Sequence, residues 1–125
     1  MFPEGTRSRD GSLYKGRTGA ARLATKIGCP IFPVGIVGTR EIQPPDAKLP
    51  RVGGRVSITL GKAILPERYA QRSDDHFVLR EMTDEVMFEI QSMTGQQYRN
   101  VYASKRQDEQ LPVGEQQRVP VATGK

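Results

Sequence analysis

Near the start of the chain Pro3, Glu4, Gly5, Thr6, Arg7, Ser8, Arg9, Asp10 and Gly11 run in succession, and Lys15, Gly16 and Arg17 follow shortly after. These residue types supply what a phosphate monoester requires. Arg7 presents a planar fork of donors and Lys15 a point charge, while Thr6 and Ser8 add hydroxyls and Gly5 lets the backbone come close. Glu4 cannot hold a phosphate itself, so its expected role is to orient Arg7 or to accept a hydrogen bond from a substrate hydroxyl. The same residues also describe an ordinary solvated basic turn, since Gly, Ser, Asp and Arg are common there and short motifs recur by chance. On the residues alone both readings stand.

The elements that must position this cluster follow it directly. Residues Gly16 to Ile27 read as a helix, because Ala20, Leu23, Ala24 and Ile27 recur at helical spacing and Gly28 is placed to end it. Its positive N-terminal end then faces the cluster. From Pro30 to Gly38 the run is short, apolar and β-branched, as in a strand buried on both faces, with Pro33 interrupting the hydrogen bonding as at a bulge or an edge. Arg40 to Gly54 is rich in Pro and Gly and reads as a loop, and Arg55 to Leu60 alternates as a half-exposed strand does. A second helix is expected over about residues 74–94, with Ser73 as cap, Asp74 and Asp75 in its first turn, Gly95 as its end, and an apolar stripe of Leu79, Met82, Val86, Ile90 and Met93. Met82, Met87, Met93 and Phe88 are assigned to core packing rather than to an acyl-chain groove. Residues 96–125 read as a helix end followed by a disordered tail.

The 125 residues carry 19 Lys and Arg against 14 Asp and Glu, a net charge of +5, and a pI near 9.7. The excess is all N-terminal: residues 1–62 hold 11 basic against 4 acidic side chains, and residues 63–125 hold 8 against 10. Acidic small molecules, anionic headgroups and nucleic acid all suit such a charge. Tyr98 and Tyr102 beside Arg99, Lys105 and Arg106 are too sparse a pattern for base stacking. One cysteine, Cys29, excludes an internal disulfide framework, and one histidine leaves no metal-ligand spacing. Cys29, between Gly28 and Pro30, is expected to be a small buried residue rather than a nucleophile. No apolar run is long enough to span a bilayer.

Three blocks in order, Phe2-Pro3-Glu4-Gly5-Thr6-Arg7-Ser8, then Lys15-Gly16 with Ala20-Ala21-Arg22-Leu23-Ala24, then Pro30-Ile31-Phe32-Pro33-Val34-Gly35-Ile36, make residues 2–38 resemble the glycerolipid acyltransferase family, which includes the 1-acylglycerol-3-phosphate acyltransferases. The resemblance implies an α/β fold, a mixed sheet flanked by helices, with residues 1–95 as the C-terminal part of the acyltransferase domain. It implies that the block holding Glu4, Gly5 and Arg7 contacts the acceptor's phosphate and that Pro33 lies near the acyl-donor side. The implied substrates are a lysophospholipid acceptor, lysophosphatidic acid, and an acyl thioester donor, acyl-CoA or acyl carrier protein, with no cofactor, metal or nucleic acid. The implied setting is the cytoplasmic face of the membrane, contacted peripherally.

One departure is chemical. The family's chemistry uses an upstream His-x-x-x-x-Asp, whose imidazole takes the proton of the acceptor hydroxyl. The single histidine here, His76, lies downstream, and Glu81 five residues on would sit ~140° away around a helix. His76 is therefore expected to be a solvated first-turn residue, no catalytic residue is assigned, and the chain reads as an N-terminally truncated member that is inactive alone. A noncatalytic phosphate- or anion-binding module is the alternative from a different class.

Overall fold

A computed structural model describes residues 1–69 and 75–103 of the chain. The expected cap Ser73, Asp74, the basic pair Lys105 and Arg106, and the expected tail lie outside the described residues. Elements follow in the order β1 (Leu13–Tyr14), α1 (Gly19–Ile27), β2 (Val34–Val37), α2 (Thr39–Ile42), β3 (Ser57–Leu60), a 3-10 turn (Pro66–Arg68), α3 (His76–Thr94) and β4 (Tyr98–Arg99). This is a mixed α/β arrangement. Among the described residues the strands form two separate pairs instead of the single mixed sheet expected: β1 and β4 run parallel, while β2 and β3 run antiparallel with Val34 opposite Leu60 and Val37 opposite Ser57.

The core sits where α3 meets α1. Ala21 and Ala24 pack with Ile64, Leu79, Met82 and Val86, and Cys29, Ile31, Tyr69 and Ile90 close around them half-buried. Each large side chain removed from water here contributes about 1.5–3 kcal/mol before entropy is counted. The long helix was legible: it ends at Gly95 in the left-handed conformation, as expected, and begins at His76, with the Asp75 side chain accepting from the Phe77 N–H. Leu79, Met82 and Val86 of the expected stripe are buried and Met87 joins them, but Phe88 is 65% exposed and is no part of the core.

Several expectations change for one reason, the close approach of α3. The first helix starts at Gly19, not Gly16, because Gly16 lies flat against α3; a Cβ there would come within 2.7 Å of Met87 Sδ. Its Ala21 and Ala24 face the core, whereas Leu23 and Ile27 of the expected stripe are exposed. Only small residues fit the short distance between the two helices. Similarly, the strand expected over Pro30–Gly38 shortens to Val34–Val37 and is not buried on both faces. Pro33 and Gly35 are buried, while Val34, Ile36 and Val37 are exposed, as are all four residues of β3, which was expected to bury one face. Pro33 does interrupt the pairing: its carbonyl accepts from Gly61 N–H, and the ladder resumes only at the isolated bridge between Ile31 and Ile64.

The segment expected to be all loop begins with the helical turn α2. Gly38 turns the chain into it at φ +96°, and a Cβ there would lie 2.0 Å from the Arg55 carbonyl oxygen. The largest surprise is β4, in a stretch with no strand signal: Leu13 N–H donates to the Gln97 carbonyl and Lys15 N–H to the Val101 carbonyl, so residues 97–101 fold back over the start of the chain. Gly35, like Gly16, is tightly enclosed by α3, since a Cβ would fall 2.7 Å from Met93 Cβ and 3.2 Å from Thr94 Cγ2. We therefore expect Gly35→Ala to destabilise the fold by about 1–3 kcal/mol, read as a lowered denaturation midpoint; an unchanged midpoint would contradict this packing of α3 on β2.

Candidate functional site

The loop before β1 has no secondary structure, so its shape depends on individual bonds. Gly5 turns at φ +75°, its N–H donating to the Phe2 carbonyl, and Arg17 N–H donates to the Pro3 carbonyl, fastening the loop to the entry of α1. Glu4 reaches across with Oε2 to accept from Tyr14 N–H at 2.8 Å. Burial pushes the Glu4 carboxyl above its usual range; the Tyr14 N–H works against this, and the neighbouring Asp10 adds to it.

Asp10 ties the far end of the loop. Its carboxylate accepts from Ser8 Oγ, Ser12 N–H, Ser12 Oγ and the Tyr14 hydroxyl, and pairs with Arg99 of β4 at 3.2 Å. Burial alone would raise its pKa, but the Ser12 N–H and the three hydroxyls outweigh burial and hold the group below the ordinary aspartate value.

So braced, the loop forms one side of a cavity of about 470 Å³. Glu4, Thr6, Arg7 and Ser8 line it, and Thr39, Arg40 and Gln43 line it from the α2 side. Phe2, Leu13, Val34, Ile36 and Ile90 supply apolar wall. Arg7 is exposed and forms no hydrogen bond or ion pair with any described residue; in particular it makes none with Glu4. A cavity with a free guanidinium and hydroxyls set against an apolar wall suits an amphiphile with an anionic head.

Of the seven residues singled out from sequence, the structure therefore brings Glu4, Thr6, Arg7 and Ser8 to one cavity, and Gly5 shapes the loop without lining it. Lys15 lies elsewhere: its ammonium stands 5.5 Å over the Tyr102 ring, which Arg17 shares at 5.3 Å. Pro33 is buried and does not line the cavity. His76 is exposed as the first residue of α3 and is likewise outside the lining. Sequence reasoning missed Thr39, Arg40 and Gln43, which come from the segment taken for a plain loop. A signal existed: Gly38-Thr39-Arg40 repeats Gly5-Thr6-Arg7. Among the described residues no helix is long and apolar enough to cross a membrane.

Comparison with known proteins agrees with the motif. Residues 1–37 match the acyltransferase family model. Over 74 residues, 59% of this chain and 20% of the relative, the sequence is 37% identical to the chloroplastic 1-acyl-sn-glycerol-3-phosphate acyltransferase of Brassica napus. It is 34% identical over 75 residues to the enzyme of that name from Chlamydomonas reinhardtii, covering 60% of this chain and 23% of that one. It is 38% identical over 64 residues to a chloroplastic counterpart from Arabidopsis thaliana, covering 51% and 18%. The matched region thus spans about a fifth of the length of these relatives, and the homology is distant and partial. No solved structure matches the chain.

Because Asp10 is held ionised by the bonds that close the loop, Asp10→Asn is expected to cost about 1–2 kcal/mol at neutral pH. A carboxylate whose pKa is lowered by folding stabilises above its unfolded value and loses that contribution as pH falls through the folded one. The deficit of the variant should therefore shrink as pH drops below the ordinary aspartate value of 3.8, which parallel denaturation curves at several pH values would reveal. A deficit of constant size across that range would contradict the role given to Asp10.

Proposed function

With an acyltransferase segment at residues 1–37 as premise, we propose that this chain carries the acceptor side of a site that moves a fatty acyl group from acyl-CoA or acyl carrier protein to lysophosphatidic acid in phospholipid synthesis. Residues 1–95 are then the C-terminal part of a glycerolipid acyltransferase domain, acting peripherally at the cytoplasmic face of a membrane, where its acceptor resides. The observation that carries this reading is Arg7, unpaired among the described residues and set with the Thr6 hydroxyl against the apolar wall of Val34, Ile36 and Ile90.

In the proposed reaction the acceptor's hydroxyl oxygen attacks the thioester carbonyl carbon. A C–O bond forms, the C–S bond breaks, and the hydroxyl proton passes through a base to the departing thiolate. Arg7 and the Thr6 hydroxyl hold the phosphate and so fix where the acceptor hydroxyl lies, while Ser8, whose hydroxyl donates to Asp10, shapes the loop that carries them. The Glu4 oxygen that accepts from Tyr14 N–H keeps the loop on β1, so Glu4 acts on position rather than on the phosphate. The proton falls to an imidazole that this chain's cavity does not contain, since the single histidine, His76, does not line it. That same observation favours a second reading, a noncatalytic anion-binding module that shares the binding step and lacks the transfer.

In calorimetric titration the purified chain is expected to bind a short-chain lysophosphatidic acid, and Arg7→Gln to weaken that binding about tenfold or more. Affinity unchanged in Arg7→Gln would overturn the acceptor reading. Mixed with acyl-CoA, the chain alone is expected to transfer nothing above background, and turnover undiminished by Glu4→Gln and Arg7→Gln would overturn the division of roles. Transfer gained when a His-x-x-x-x-Asp segment is joined to the chain separates the acyltransferase from the module.

A further inference from the structure

The tripeptide Gly-Thr-Arg occurs twice, at residues 5–7 and 38–40, and the fold brings both copies to one cavity. In each the glycine turns with positive φ, +75° and +96°, and in each the threonine and arginine line the cavity. The second copy is held by close packing of its backbone. Gly38 lies so close to the Arg55 carbonyl that no side chain fits, and the Arg40 guanidinium lies over Gly11, where a Cβ would come 2.4 Å from Nη1. Gly38 thus sets where the second copy turns, and the Arg40 guanidinium lies against Gly11.

Charge pairing and position together separate these two arginines: Arg22, Arg51 and Arg55 also lack an ion pair among the described residues, but they do not line the cavity. Arg9 pairs with Asp46, Arg68 with Glu85, Arg80 with Asp84 and Arg99 with Asp10. Arg7 and Arg40 form no hydrogen bond or ion pair with any described residue, and both line the same cavity. Two guanidiniums at one cavity, neither paired with a described residue, repel each other, and an anion bound at the cavity would relieve that repulsion. We propose that Gly38-Thr39-Arg40 is a second arm of the phosphate site, so that Arg7 and Arg40 hold one phosphate monoester between them and select it over phosphodiesters. This rests on the acceptor-phosphate reading of the cavity. A monoester dianion offers two charges and three terminal oxygens, enough for two guanidinium forks, whereas a diester offers one charge and two such oxygens.

The test measures binding of 1-hexanoyl-glycerol 3-phosphate, of its phosphate methyl ester and of inorganic phosphate to the purified chain and to Arg40→Gln, Arg40→Lys, Arg7→Gln and Lys62→Gln. Arg40→Gln is expected to weaken the monoester about tenfold while leaving the methyl ester within about twofold, so that the preference collapses. Arg40→Lys, which keeps the charge without the fork, should retain the preference only in part and carries the test if the glutamine variant does not fold. Lys62→Gln, an equal loss of charge outside the cavity, should change neither ligand. Equal weakening of monoester and methyl ester by Arg40→Gln would overturn the proposal, since a merely structural or general electrostatic role does that. Weakening by Arg7→Gln but not by Arg40→Gln would also overturn it and leave the acceptor reading standing. No effect of either variant would overturn both. Inorganic phosphate bound as tightly as the lysolipid, with the same loss in Arg40→Gln, would uphold the two-armed site and assign it to free phosphate.

Discussion

Asp10 accepts four hydrogen bonds from residues 8–14 and pairs with Arg99, and this one carboxylate joins the loop, β1 and β4. A loop without helix or sheet has no ladder to fix it, and the entropy of ordering it must be offset by a few strong local bonds. Charge-assisted bonds to a partly buried carboxylate are suited to that, because each is stronger than a neutral one and because several donors share one acceptor group. Glu4, accepting from Tyr14 N–H, does the same from the other end. The loop's two acids are thereby occupied with backbone and hydroxyl donors, and Arg7 is left without a partner among the described residues.

That separation of roles gives the cavity its chemistry. A carboxylate free to turn toward Arg7 would neutralise it and compete with any anionic ligand. Here the carboxylates face into the loop and β1, and the guanidinium of Arg7 stands with the hydroxyls at the cavity. The wall opposite is apolar because β2 presents Val34 and Ile36 there while its Gly35 packs on α3. Of the exposed apolar side chains of β2 and β3, which look misplaced for a strand pair, Val34 and Ile36 of β2 line this space.

The acyltransferase match over residues 1–37 covers the loop, β1, α1 and β2 and leaves out α3, the element with the strongest local signal. The relatives share about a fifth of their own length with this chain, and the family-model match lies on the segment that holds the loop, Val34 and Ile36.

The sequence by itself determined the local features: the end of α1 at Gly28, the end of α3 at Gly95, the face of α3 that carries Leu79, Met82 and Val86, and the residue types of the Glu4–Ser8 block. Each depends on neighbours within a turn or two, through glycine's access to positive φ or through the helical repeat. Tertiary structure alone decided that Gly16 belongs to a helix contact and not to a helix, that β4 returns to β1, that Lys15 stands over Tyr102 and away from the cavity, and that Arg40 joins Arg7. Those outcomes depend on which distant segments meet, and periodicity along one segment carries no record of the partner that will cover it.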